Sequence, residues 1–125
     1  MKALTNLLSA EQQRSFDGFV KTWQARLGLM GWRIERSRKV TKAMSDVTMD
    51  HKSLLAVYRI GDFGSTAITS ESIEGTAIHE LLHVLLFRLV NQVEIGLTDV
   101  ALESEEHNVI HVLEKLLTPP LPTPQ

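Results

Sequence analysis

Residues 79–83 read His-Glu-Leu-Leu-His. If this stretch is helical, His79 and His83 stand one turn apart on one face, and both imidazoles can hold a single metal ion. Glu80 lies about 100° round the helix from His79, outside the ligand pair but near enough to act as general base on a water that the metal polarises. A catalytic metal of this kind takes a third protein ligand and keeps one position open. The chain has no cysteine, so any metal site must be built from histidine and carboxylate.

The third ligand must come from farther along. Positions 86 and 89 are both leucine, so the glycine and third histidine of the longer HExxHxxGxxH arrangement are absent. A later helix offers Glu103, Glu105, Glu106 and His107. Taking Leu102, Val109 and Leu113 as its core direction, Glu106 falls about 40° away and Glu105 about 60° away on the other side. Glu103 and His107 fall at about 100° and 140°. Helical phase therefore selects Glu106, with Glu105 in reserve. His107 and His111 are also four apart but point away from the core direction, as an exposed pair does.

The elements that must position these groups follow from periodicity. A first helix is expected from Ala10 to Leu27, with Ser9 and Gln12 as a capping box and Phe16, Phe19, Val20, Trp23 and Leu27 as its core face. Gly28 and Gly31 end it. Alternation from Trp32 begins a strand, Ser53–Ile60 reads as a second, and Val47–Met49 as a further short one. The motif helix is expected from Ser72 to Asn91, apolar on every side as a fully buried helix is. That reading places His79, Glu80 and His83 inside the core, where a metal would satisfy both histidines together. The last helix is expected over Asp99–Leu117. The order predicts an α+β domain with a small, mostly antiparallel sheet, occupying 1–117 as a single domain. The tail, 118–125, holds all four prolines and is expected to be disordered.

The extended run Thr76-Ala77-Ile78-His79-Glu80-Leu81-Leu82-His83-Val84-Leu85 resembles the zincin signature. A glutamate on the following helix in place of the third histidine resembles the gluzincins. The short chain, with Leu29-Met30-Gly31-Trp32-Arg33-Ile34 before the sheet and Glu105-Glu106-His107-Asn108-Val109 on the last helix, is similar to the minimal gluzincins and the zincin-like proteins of phage and prophage. The resemblance implies a zincin-like fold, a zinc ion held by His79, His83 and Glu106, and hydrolysis of peptide bonds with Glu80 as base. Tyr58 and His107 are the candidates for steadying an oxyanion. An extended peptide substrate could pair with strand Ser53–Ile60 if that strand forms an open edge. The same residues would also serve a zinc-stabilised binding or regulatory module without catalysis.

Composition excludes other classes. With 43% hydrophobic and 22% charged residues over 125 residues, the chain reads as one ordered globular domain. The most apolar stretch, Ile78–Val90, carries His79, Glu80, His83 and Arg88 and falls short of the roughly 20 residues that span a bilayer. Met1–Ala10 lacks a signal-type apolar run, which is compatible with a cytoplasmic setting. Arg33, Arg36, Arg38, Lys39 and Lys42 form a basic cluster, but Glu35 interrupts it and the net charge is −2, arguing against nucleic acid as partner.

Overall fold

The computed structural model describes residues 5–91, 96 and 98–117; the proline-rich tail expected at 118–125 lies outside them. Among these residues the elements follow in the order α1 (Ala10–Arg26), β1 (Arg33–Arg36), β2 (Ser45–Asp50), β3 (Leu55–Ile60), α2 (Ser70–Val90) and α3 (Asp99–Leu117). The class is α+β, as expected. The contacts fall into two compact units, Met1–Phe87 and Arg88–Gln125, where the sequence reads as one domain over 1–117.

In the first unit, α1 begins as its capping box dictates: the Gln12 N–H donates to Ser9 Oγ at 3.2 Å and the Ser9 N–H to Gln12 Oε1 at 2.9 Å. It ends on Gly28, whose φ of 70° is a left-handed conformation that costs glycine little. The N–H groups of Gly28 and Leu29 then satisfy the carbonyls of Ala25 and Gln24, closing the helix in a Schellman motif. Phe16, Val20 and Leu27 are buried, while Phe19 and Trp23 are half-buried.

The sheet has strand order β1-β3-β2, with β1 parallel and β2 antiparallel to β3. It is therefore mixed rather than mostly antiparallel. β3 buries Ala56, Tyr58 and Ile60 on one face, and the Tyr58 ring stacks on Phe16 of α1 at 5.4 Å. Because β3 is paired on both sides, it is the centre of the sheet and not the open edge that its position before the motif helix suggests. The edge next to the motif helix is β2, which the sequence shows only as a three-residue hint at Val47–Met49.

α2 starts two residues earlier than Ser72. Thr69 is the cap: its Oγ1 accepts from the Ser72 N–H at 3.0 Å, and its own N–H donates to Ser72 Oγ at 2.8 Å. Within this unit the helix is anchored by Trp23 Nε1, which donates to Glu74 Oε2 at 3.0 Å, and by the edge-on contact of Trp32 with Phe87.

In the second unit, α3 is capped by Thr98, whose Oγ1 accepts from the Ala101 N–H at 3.1 Å. Val109 is buried, while Ile110, Leu113 and Leu116 are about two-fifths exposed at 41%, 39% and 38%.

Candidate metal centre

The residues of α2 on the buried face are Ile73, Ala77, Glu80, Leu81, Val84 and Phe87. Ile73, Ala77, Glu80, Val84 and Phe87 follow one another in alternating steps of four and three, the spacing of an apolar seam. Glu80 occupies a seam position where packing alone would call for a leucine, and it is only 5% exposed. Its Oε1 accepts a hydrogen bond of 2.8 Å from Ser45 Oγ at the start of β2.

His79 and His83 flank the seam and are exposed. This corrects the expectation of a helix enclosed on every side. One face of α2 is buried, with Trp23, Trp32 and Ser45 among its partners, while Ile78, Leu82, Leu85 and Leu86 remain half-buried. Of the three ionisable groups expected in the core, only Glu80 is there.

The two imidazoles converge. Their Nε2 atoms are 3.3 Å apart, with ring planes at 81°. Two nitrogens bound to one tetrahedral zinc at ordinary bond lengths of about 2.0–2.1 Å are separated by about 3.3–3.4 Å. The pair therefore has the spacing of two ligands on one ion. In the metal-free protein the same separation suits an N–H···N hydrogen bond between one ring as donor and the other as acceptor. Among the described residues, no group of three or more His, Cys, Asp or Glu is gathered closely enough to hold an ion.

Asp46, which lines a cavity beside the histidine pair, is committed elsewhere. Asp46 shares β2 with Ser45, but it faces Arg59 across the β2–β3 pair, accepts from Arg59 Nε at 2.7 Å and also takes the Thr41 hydroxyl. The Arg59 hydrogen bonds hold the Asp46 carboxyl below its ordinary range. In the second unit, Glu105 is half-buried and pairs with Arg88 Nε at 3.0 Å. Glu106 is exposed rather than facing the buried stripe, and no ion pair or hydrogen bond engages its carboxylate among the described residues. His107 is exposed beside Glu103 at 3.8 Å, and His111 lies 3.7 Å from Glu114.

Tyr58 donates its hydroxyl to Asp17 of α1. Burial, with Asp17 beside it, pushes that hydroxyl above its usual range, so the proton stays on the phenol oxygen, within its hydrogen bond to Asp17. In the basic cluster, Arg33 pairs with Glu35 at 2.8 Å and Arg36 with Asp17 at 3.0 Å, which leaves less free positive charge than the sequence suggests.

Two cavities adjoin the histidine pair, both bounded by Ser45, His79 and Glu80. One of about 530 Å³ reaches back along α2 to Ser72, Gly75 and Thr76. The other, of about 210 Å³, follows β2 past Val47 and Met49 to His83. A cleft thus runs along the edge strand with the candidate base at its middle. Ser45 is the member of this site that sequence reading missed; it lies 35 residues from Glu80 and carries no local signal.

Comparisons with protein-family models, curated proteins and solved structures give no match for this chain. Among the described residues, no helix is long and apolar enough to cross a membrane.

Proposed function

We propose that the protein is a zinc-dependent peptidase of the minimal gluzincin kind. The observation that carries this reading is the 3.3 Å separation of the His79 and His83 Nε2 atoms, which fits two ligands of one tetrahedral ion. Glu106 of α3 is the proposed third ligand, because among the described residues its carboxylate is uncommitted whereas Glu105 is taken by Arg88. When bound, zinc supplies a Lewis acid that polarises a peptide carbonyl and brings the pKa of water toward neutrality. Glu80 accepts the proton of the attacking water and delivers it to the leaving amine. The substrate is an extended peptide laid along β2, whose outer edge is unpaired among the described residues, so main-chain hydrogen bonds align it without demanding one sequence.

A zinc-stabilised binding module is the second reading, since the same two histidines and a carboxylate can hold an ion without catalysis. The exposure of both histidines favours the catalytic one, since structural sites are closed and catalytic sites keep a position open. Elemental analysis and a peptide-library digest separate the two. About one zinc per chain is expected, lost in His83→Ala, weakened in Glu106→Gln and unchanged in Glu105→Gln. Cleavage should accompany the metal and vanish in Glu80→Gln with zinc retained. Zinc-loaded protein that cleaves no member of the library, and unfolds when chelated, would establish the binding module instead.

A further inference from the structure

Among the described residues Glu80 receives one hydrogen bond, that of Ser45 to Oε1. A carboxylate offers about four acceptor sites on two oxygens, so this contact engages one oxygen and leaves Oε2 without a partner among those residues. Ser45 shares its strand face with Val47 and Met49, opposite the buried Ile60, Tyr58 and Ala56 of β3. A hydroxyl among apolar neighbours on that face is not what packing asks for.

The position of Ser45 is fixed from behind. The Gly61 N–H donates to the Met44 carbonyl at 2.9 Å. A Cβ on Gly61 would lie 1.9 Å from the Ala43 carbonyl oxygen and 2.5 Å from that of Thr41. The segment leading into β2 is thus pressed against a glycine backbone and tied to it by a hydrogen bond. The next residue, Asp46, is tied to Arg59 and Thr41. Ser45 is held on both sides and set against the one buried carboxylate of α2.

We propose that Ser45 is a positioning residue for Glu80. Its hydroxyl fixes the carboxylate rotamer by occupying Oε1, so that Oε2 faces the junction of the two cavities, where the attacking water must give up its proton. This rests on the peptidase reading. Ser45 need touch neither the metal nor the scissile bond, and it acts only through the orientation of Glu80.

The test compares Ser45→Thr, which keeps the hydroxyl, with its near-isostere Ser45→Val, which removes it; both side chains suit a strand. Ser45→Ala serves as a third variant. All are prepared as full chains loaded with zinc, and metal content, KM and kcat are measured on a peptide the native protein cleaves. Ser45→Val should keep native zinc content and a KM within about twofold while kcat falls roughly ten- to a hundredfold, the range expected for losing a hydrogen bond to a charged group. Ser45→Thr should recover kcat to within about threefold. In the metal-free protein, a double-mutant cycle of Ser45→Ala with Glu80→Met on the urea unfolding equilibrium should depart from additivity by at least about threefold.

Equal kcat for the Thr and Val variants at full zinc content would overturn the proposal, and so would an additive cycle. If the native zinc-loaded protein cleaves while Ser45→Val matches it, only the role of Ser45 falls. If the native zinc-loaded protein cleaves nothing, the peptidase reading falls and takes the positioning role with it, even where the cycle shows coupling.

Discussion

Replacing Glu80 with methionine should make the protein more stable while abolishing cleavage. Glu80 is 5% exposed, sits in the apolar seam between Ala77 and Val84, and is compensated by a single hydrogen bond from Ser45. Removing a carboxylate from water carries an effective penalty of several kcal/mol, and one charge-assisted hydrogen bond returns roughly 1.5–3 kcal/mol. Methionine has a similar length and would bring about 1.5–3 kcal/mol of apolar burial. Ser45 is half-buried, so water can reach its hydroxyl once the carboxylate is gone. The net expectation is a gain of about 1–3 kcal/mol, or an increase in Tm of roughly 3–10 °C for a domain of this size. Urea unfolding in chelator, with the slope unchanged, measures it free of any metal contribution. Leu81→Ala is the calibration: Leu81 is 2% exposed on the same helix, and its truncation should cost about 2–5 kcal/mol. A Glu80→Met protein destabilised by more than about 1 kcal/mol would refute the reasoning, because Glu80 would then be part of what holds the fold together. Its burial would no longer mark a residue kept for chemistry at the expense of stability.

Gly61→Ala should lower stability by about 2–4 kcal/mol, combining overpacking against the Ala43 and Thr41 carbonyls with strain on the hydrogen bond to Met44. Gly75→Ala should raise stability by about 0.5–1 kcal/mol, since Gly75 lies inside α2 and a Cβ there meets nothing within 4 Å. Equal urea midpoints for the two alanine variants would contradict both predictions. The Asp46 carboxyl is held below its ordinary 3.8, chiefly by Arg59. Its contribution is therefore complete above the unfolded value and is lost as pH falls through the lower folded one. Asp46→Asn should be less stable than the native chain at neutral pH and indistinguishable from it in strong acid. A stability deficit that persists below the carboxylate range would assign the effect to shape rather than charge.

The elements that repeat locally were legible in the sequence. The Ser9–Gln12 box, the Gly28 stop and the spacing of Phe16, Val20 and Leu27 place α1 within a residue of its observed end. The apolar stripe through Leu102, Val109 and Leu113 does the same for the start of α3 at Asp99. Strand order was not legible, because Ser53–Ile60 carries the strongest strand pattern whether it lies at an edge or in the centre. The edge strand β2, Ser-Asp-Val-Thr-Met-Asp, has only two large apolar residues and little periodic signal. The burial of α2 was over-read for a related reason. An apolar residue at every turn counts the same whether the helix is enclosed on all sides or, as here, has one buried face.

The histidine pair could be read because a helix converts a spacing of four residues into a fixed distance, needing nothing from the rest of the chain. Glu80 was read as buried together with both histidines; that it alone is buried depends on which face α2 turns inward, a tertiary choice. Once that face is known, the three motif residues divide into two environments. The histidines stand exposed, where an ion can be taken up with a position left open, and the glutamate stands buried, where a single hydroxyl sets its direction. Under the proposed peptidase reading the two placements serve two tasks, metal uptake by the histidines and proton transfer by the glutamate.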